Sequence, residues 1–256
     1  MKFLTARWEH LLFANYVVAP ELLTPYLPPK TRIDLFDGKC FVSLVAFWFH
    51  QTRVLGVKVP FHTQFEEVNL RFYVTPESDH SRRGVTFIRE IVPLRIIPWV
   101  ANSLFRESYV CCSMQHDHSP NRFGYSWANA PQHSFQVTLN SSLQLPNPGS
   151  VEEFITEHYW GYAGTTGRTL EYQVEHPQWP CITVDQFQIA VDFASNYGER
   201  FAILNEQQPH SVLYAAGSDV SVFFPQRLPN DNTNDALSVT RNLLLKHSTS
   251  KQRPGP

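Results

Sequence analysis

The segment Phe65–Val74, FEEVNLRFYV, alternates polar and apolar residues with the period of two that is typical of a β-strand. One face of this strand carries a polar row that consists of Glu67, Asn69, Arg71 and Tyr73. A row of this kind is either the solvated outside of a sheet or the wall of a polar cavity. The surrounding sequence decides which of the two to expect.

Runs of strand length recur through the rest of the chain, separated by turn-rich connections. They lie at Cys40–Phe49, Val85–Val92, Ser108–His118, Arg122–Ala128, Ser134–Asn140, Arg168–Glu175, Cys181–Ile189 and Val220–Phe224. Helices are few: Ser150–Trp160, where Ser150 and Glu153 form a capping box, and short segments at Pro20–Leu27 and Pro98–Phe105. Many strands joined by turns predict a mainly β fold of the α+β type, as a barrel or a sandwich.

Composition excludes some classes of protein. Of the 256 residues, 43% are hydrophobic and 17% are charged, and a typical globular chain has about 25% charged residues. The net charge of −2 gives no basic surface of the kind that binds nucleic acid. No apolar run reaches the roughly 18–20 residues of a membrane span. We therefore expect neither nucleic acid nor a membrane as a partner.

Linkers and targeting signals are scarce as well. Residues 1–229 contain no Gly/Ser- or Pro-rich linker and are interpreted as one domain, followed by a polar tail at 230–256 in which Ala236–Leu245 is a candidate short helix. Charged residues interrupt Met1–Val18, unlike a signal peptide. Four cysteines without a CxxC pair are typical of reduced thiols, so we expect a cytoplasmic protein.

The next strand, Val85–Val92, carries two adjacent charges, Arg89 and Glu90, which point to opposite faces. If this strand pairs with the first, one of the two enters the same space as the Glu67 row. An inward arginine would be a permanent cation suited to a carboxylate, and an inward glutamate would have a perturbed pKa. His62, in the preceding loop, is either a surface residue or a further member of the site.

Several catalytic and metal-binding patterns do not occur in the sequence. It has no GxSxG, HExxH, GxGxxG or EF-hand spacing. Cys112, Met114, His116 and His118 share one strand face, but residues spaced along a strand do not converge on one tetrahedral centre. The sequence therefore predicts neither a metal nor a cofactor.

Seven segments resemble, in the same order, the YqjF-like DUF2071 family of bacterial proteins, a family of uncharacterised function within the acetoacetate decarboxylase-like superfamily. They are LLFANYVVAPELLTPYLP, FDGKCFVSLVAFWF, TRVLG, FEEVNLRFYV, RRGVTFIREIVP, EEFITEHYWGY and GRTLEYQVEHPQW. The resemblance extends over residues 1–229. It implies an antiparallel β-barrel with a cavity and a few short peripheral helices, which agrees with the strand pattern, and it makes an inward polar row as plausible as a solvated one.

The same resemblance bears on the chemistry. Acetoacetate decarboxylases form a Schiff base through a lysine that follows an Arg-Glu segment and a proline. The similar segment here reads IRE at Ile88–Glu90 and PLR at Pro93–Arg95. Leu94 has no nucleophile, and Arg95 stays protonated and forms no imine. Schiff-base decarboxylation is therefore disfavoured.

A second parallel concerns a carboxylate. Glu66 and Glu67 fall where the resemblance implies a cavity carboxylate, and either could be its counterpart. Because Glu67 shares its strand face with Asn69 and Arg71, we prefer Glu67.

Two functions suit these residues. In the first, a cavity binds a small organic acid or carbonyl compound, and any chemistry is lyase- or isomerase-like proton transfer without an imine. The candidate ligand-binding residues are Arg71, Tyr73, Arg89, Arg95 and His62, and the candidate catalytic residues are Glu67 and Glu90. The same residues suit binding with or without catalysis.

In the second, the chain is a non-catalytic interaction protein that kept the fold and lost the site. The absent lysines favour this alternative. Exposed aromatic residues between Trp160 and Trp179 would then bind another protein or a second copy of the chain, as a homo-oligomer.

Overall fold

A computed structural model describes residues 1–95, 97, 102–128, 132–165 and 167–228. Within these residues the chain forms two β-sheets, a few short helices and connecting loops. The strands are β1 (Lys2–Val18), β2 (Thr31–Ile33), β3 (Cys40–Val54), β4 (Phe65–Pro76), β5 (Gly84–Val92), β6 (Tyr109–Cys111), β7 (Met114–His118), β8 (Arg122–Trp127), β9 (His133–Thr138), β10 (Trp160–Thr165), β11 (Arg168–Glu175), β12 (Cys181–Thr183), β13 (Gln186–Ala190), β14 (Ser211–Phe223) and β15 (Gln226–Arg227).

The larger sheet closes on itself. Its strands follow the order β14-β1-β3-β4-β5-β10-β11, and β11 pairs again with β14 through Val174↔Val222 and Glu175↔Ser221. Most neighbours are antiparallel, whereas β5 pairs in parallel with β10 and with β6. The prediction of a mainly β fold of the α+β type is confirmed.

Both faces of this ring are buried, which explains the continuous apolar run CFVSLVAFWF at the start of β3. One face of β3 and β4, with Leu44, Leu70 and Phe72, packs outward against the second sheet. The other face, with Val45 and Phe47, turns toward the interior of the ring. The polar row on β4 lies on this interior side.

The smaller sheet has the order β13-β9-β8-β7 and is antiparallel throughout. Its large side chains, Tyr125, Trp127 and Phe135, are almost fully buried against the outer face of the ring. Since this sheet covers β3 and β4, the interior of the ring is walled by buried strands.

Short α-helices flank the sheets, and those whose bounds lie within the described residues are α1 (Pro20–Leu23), α2 (Val151–Thr156) and α3 (Phe193–Tyr197). Two 3₁₀ segments lie at Thr24–Tyr26 and Glu199–Asn205. The Ser150 side chain accepts a hydrogen bond from the Glu153 backbone N–H at 3.2 Å, as the capping box predicts. Among the described residues, none of the helices has the length and apolar character needed to cross a membrane.

Several boundaries differ from those predicted. The strands β1 and β10 and most of β14 were not predicted, and the predicted helix Ser150–Trp160 ends at Thr156 because β10 begins at Trp160. The runs Ser108–His118 and Cys181–Ile189 each form two strands that belong to different sheets. The first part of the predicted helix Pro98–Phe105 and the whole tail at 230–256, with Ala236–Leu245, lie outside the described residues.

Candidate functional site

The interior of the ring contains a cavity of about 290 Å³ that is partly open to solvent. Its wall is mainly apolar, and its aromatic residues include Trp8, Phe47, Phe49, Phe65, Trp160 and Trp179. A largely apolar wall with a few polar groups is the usual composition of a small-molecule pocket. The chemistry of this cavity therefore depends on which polar side chains enter it.

The row on β4 supplies the first polar groups. Glu67 and Asn69 line the cavity with only 3% and 1% of their surface exposed, and Arg71 lines it as well. Tyr73 is on the same strand face but is not among the residues that line the cavity, and its hydroxyl is 2.7 Å from that of Ser43. The row is thus the wall of a buried space and not a solvated outer face.

Glu67 is held by two donors. The Asn69 Nδ2 amide donates to one carboxyl oxygen at 3.0 Å, and the Tyr109 hydroxyl donates to the other at 3.2 Å. Desolvation outweighs these donors and the nearby Arg71 cation, so burial raises the pKa of Glu67 to about 7. A carboxyl group in this state can both accept and donate a proton near neutral pH.

Two more glutamates lie at the Glu67 end. Glu90, which is 2% exposed, lies across the strand pair from Asn69, and Glu107 accepts a hydrogen bond from the Tyr172 hydroxyl at 2.9 Å. Burial, reinforced by the like charges of its neighbours Glu107 and Glu67, raises the pKa of Glu90 well above its usual range. This end of the cavity is therefore rich in carboxyl groups that hold their protons.

The position of Tyr172 depends on a glycine. Gly161 is the residue directly opposite Tyr172 in the β10–β11 pair. A Cβ atom at Gly161 would collide with the Tyr172 ring, so only glycine leaves room for the ring to cross β10. The bond from Tyr172 to Glu107 follows from this crossing.

The opposite end of the row is cationic. Arg71 donates to the backbone oxygen of Ile155 at 3.3 Å, and its guanidinium lies 5.4 Å from the centre of the Phe13 ring. His158, also on the cavity wall, has its Nε2 3.3 Å from Asp34. Desolvation lowers the pKa of His158 to about 4, despite Asp34, so its imidazole is neutral.

Unpaired polar atoms concentrate in this cavity. Within the described part of the chain, nine buried side-chain nitrogen or oxygen atoms have no hydrogen-bond partner. Six of them belong to residues that line the cavity. The six are Trp8 Nε1, Thr52 Oγ1, Asn69 Oδ1, Arg71 Nε, Glu90 Oε2 and His158 Nδ1. Buried polar atoms are normally hydrogen-bonded, so these residues have hydrogen-bonding capacity that the described part of the chain does not meet.

The other predicted ligand-binding residues occupy different places. His62 lines the cavity, with its Nδ1 2.8 Å from the Pro60 carbonyl oxygen. Arg89 points to the outer face of the ring and donates to the backbone oxygen of Asn196 in α3. Arg95 is exposed in the connection after β5 and is not among the lining residues. The geometry thus brings together His62, Glu67, Arg71 and Glu90, but neither Arg89 nor Arg95.

Glu66 lies on the outer face, in a separate polar cluster. Its carboxylate is 2.6 Å from His116 Nδ1, and the His116 ring packs against His118 at 4.5 Å. Because Glu66 contacts His116 on the outer face, Glu67 is the one of the two adjacent glutamates that lies on the cavity wall.

Within the described part of the chain, no three His, Cys, Asp or Glu side chains are arranged to hold a metal ion.

The aromatic residues between Trp160 and Trp179 are mostly inside the molecule. Trp179 and Tyr172 are 2% and 8% exposed, and both line the cavity. The prediction that this segment presents an exposed aromatic surface is wrong, because Tyr162, Tyr172 and Trp179 are all buried.

Some members of the site were not singled out from the sequence. Glu107 and Tyr109 come from the segment before and within β6, whose short parallel pairing with β5 sets Tyr109 beside Glu90. No spacing motif marks either residue. The density of hydrogen-bonding aromatics around His158 and Tyr172 was visible in the sequence, but it did not distinguish a cavity wall from a core edge.

The family model of DUF2071, described as an uncharacterized conserved protein, matches residues 5–219 of the chain. The chain belongs to the DUF2071 family. The uncharacterized protein YqjF of Bacillus subtilis (strain 168) is 23% identical over 177 residues, which cover 67% of this chain and 72% of YqjF.

Solved structures extend the likeness to the acetoacetate decarboxylase-like fold. The enduracididine biosynthesis enzyme MppR complexed with pyruvate has a TM-score of 0.63 at 12% identity, over 90% of this chain and 91% of that one. Acetoacetate decarboxylase from Legionella pneumophila has a TM-score of 0.62 at 8% identity, over 89% and 88%. An acetoacetate decarboxylase-like enzyme from Sphingomonas wittichii RW1 has a TM-score of 0.61 at 13% identity, over 90% and 94%. At these identities the likeness shows the fold alone.

Proposed function

We propose that the cavity binds a small organic acid or carbonyl compound without forming an imine. The observation that carries this proposal is that Glu67 and Arg71 enter one buried, largely apolar cavity from the same strand. Arg71 is the cation for a carboxylate, and the protonated Glu67 is a hydrogen-bond donor for a carbonyl oxygen. His158 adds a neutral imidazole beside Arg71.

The lysines support a non-covalent mode of binding. None of the lysines among the described residues lines the cavity. Lys2, Lys39 and Lys58 are exposed, and an imine requires an amine that reaches the carbonyl carbon. Borohydride treatment with pyruvate is therefore expected to leave the chain unmodified, as measured by intact mass, and a trapped adduct on any lysine would contradict the proposal.

Neighbouring structures make the ligand class reasonable by analogy. One MppR structure is described as a complex with pyruvate, and another as a complex with the condensation product of pyruvate and imidazole 4-carboxaldehyde. These are small keto compounds in proteins of the same fold. The analogy is at the level of fold, and the argument for this chain rests on its own cavity.

Ligand binding can be measured as a shift of the melting temperature. A compound at a hundredfold excess over its Kd stabilises the folded state by about 2.7 kcal/mol, which for a domain of this size raises Tm by roughly 5–10 °C. Pyruvate and levulinate are the probes, and Arg71→Met is expected to abolish the shift. Arg89→Met is the matched control, since Arg89 lies on the outer face and its loss should leave the ligand-induced shift intact.

Proton transfer is the chemistry that the cavity best supports. A carboxyl group with a pKa near neutrality is a suitable general base and acid for hydrogens next to a carbonyl. In D2O, the wild-type protein is expected to exchange the methyl hydrogens of pyruvate faster than buffer does, as followed by NMR. Exchange that persists unchanged in Glu67→Gln would exclude Glu67 as the base.

A further inference from the structure

We infer that the ligand carries a hydrogen-bond donor, preferably an ammonium or other cationic group, a few ångströms from its acid or carbonyl end, and that Glu90 and Asn69 bind this donor. The inference rests on the proposed function and adds a second subsite to it. It follows from the asymmetric distribution of charge and of unpaired side-chain oxygens along the cavity.

The charge distribution has a direction. Glu67 and Arg71 are four residues apart on β4, so their Cα atoms are separated by about 13 Å. Arg71 is close enough to His158 to lower the pKa of that imidazole, whereas Glu90 is influenced by the like charges of Glu107 and Glu67. One end of the cavity is therefore suited to an anion and the other to a donor or a cation.

Two unpaired side-chain oxygens belong to residues that lie opposite each other at the carboxyl-rich end. Asn69 and Glu90 are paired across β4 and β5, and they are 1% and 2% exposed. Asn69 donates its amide to Glu67, which leaves Oδ1 as its acceptor, and neither this oxygen nor Glu90 Oε2 has a partner among the described residues. A bound cationic donor would satisfy both oxygens, because Asn69 Oδ1 is an acceptor and Glu90 Oε2 becomes one when the carboxyl group loses its proton.

A cationic donor suits this subsite better than a neutral one. Of the described residues on the wall, Glu67, Glu90 and Glu107 carry carboxyl groups and Arg71 alone carries a guanidinium. A bound ammonium would favour the ionised form of Glu90, and the resulting charge-assisted hydrogen bond is about twice as strong as a neutral one. Binding would thus release a proton from the cavity.

Levulinate and 5-aminolevulinate test the inference, because they share the acid and the ketone and differ by one amine. At mildly acidic pH, where the amine is protonated, isothermal titration is expected to show 5-aminolevulinate binding about tenfold more tightly than levulinate to the wild-type protein. In Glu90→Gln the ratio of the two affinities, measured within that variant, is expected to fall to within about twofold. In the matched control Glu66→Gln, whose carboxyl lies on the outer face, the advantage is expected to remain.

The outcomes separate the two proposals. If levulinate binds but the amine adds nothing, or if the advantage survives in Glu90→Gln, the donor subsite is refuted and the proposed function stands. If neither compound binds the wild-type protein, both proposals fail for this ligand class. Titration of the wild-type protein in two buffers of different ionisation enthalpy needs no variant: proton release with 5-aminolevulinate and none with levulinate is expected, and equal release refutes the inference.

Discussion

Replacing His158 by glutamine is expected to remove a large part of the acid sensitivity of the fold. His158 is 7% exposed and packs against the rings of Tyr73 and Phe154, at centroid distances of 4.7 and 5.1 Å. Asp34 favours the imidazolium through its contact with Nε2, but Arg83 donates to the same carboxylate at 2.7 Å and competes with that stabilisation. At a pH below the pKa of His158 in the unfolded chain, this side chain must therefore lose a proton when the chain folds.

The magnitude follows from the shift in pKa. Desolvation, with smaller contributions from the Arg83 and Arg71 cations, lowers the pKa of His158 from 6.5 to about 4. A group with a lowered folded-state pKa adds stability above its unfolded pKa, and this contribution is lost as the pH falls through the folded value. Each pKa unit corresponds to about 1.4 kcal/mol, so the wild-type protein loses about 3 kcal/mol between pH 6.5 and pH 4 through this residue.

Urea unfolding at neutral pH and near pH 4 measures this difference. His158→Gln is expected to be less stable than the wild type at neutral pH, because packing is lost, and to lose about 3 kcal/mol less on acidification. His80→Gln, at an exposed loop position, is the control and should follow the wild-type pH dependence. An equal loss of stability on acidification in His158→Gln and the wild type would refute the assignment of a buried neutral imidazole.

Three further predictions concern the wall and its supports. The free energy of unfolding of Glu67→Gln should exceed that of the wild type by about 3 kcal/mol above pH 7 and equal it at pH 4.5, because the raised pKa of Glu67 costs the wild type stability as the pH rises. The same pH dependence of urea unfolding in both proteins would contradict this. Gly161→Ala should destabilise by about 1–3 kcal/mol, since the new methyl group displaces the Tyr172 ring, and an unchanged urea midpoint would show that the ring can yield. Ser150→Ala should cost about 1 kcal/mol through loss of the α2 cap, whereas Ser150→Thr should retain most of the stability in the same assay.

The sequence predicts strands where alternation is regular and misses them where it is broken. In β1, the charged residues Arg7 and Glu9 and the register shifts on either side of them conceal a long strand. His10 adopts a positive φ of 54° at this irregularity, and Gly217 of β14, at φ +84°, packs closely against the Trp8 backbone. Bulges of this kind shift side chains between faces, so a period of two fails although the strand continues.

The polar row of β4 could be read from the sequence, but its surroundings could not. Side-chain alternation along a strand places Arg89 and Glu90 on opposite faces. Only the register of the β4–β5 pair, in which Asn69 lies opposite Glu90, decides which of them points inward. Glu107 reaches the cavity from the segment before β6, far from β4 in sequence. Contacts set by tertiary pairing leave no local pattern, so the row predicts a polar wall and not the full set of groups around it.

Hydrogen-bond matching, more than buried area, should decide what this cavity selects. Each buried polar atom without a partner costs about 1–3 kcal/mol, and a cavity of about 290 Å³ has room for several waters at roughly 30 Å³ each. A ligand must therefore replace hydrogen bonds to Asn69, Arg71, Glu90 and His158 that water would otherwise make. An apolar molecule of the right size cannot do so, whereas a compound with an acid at one end and a donor at the other can. Discrimination against analogues that lack one polar group is accordingly expected to exceed discrimination by one methylene.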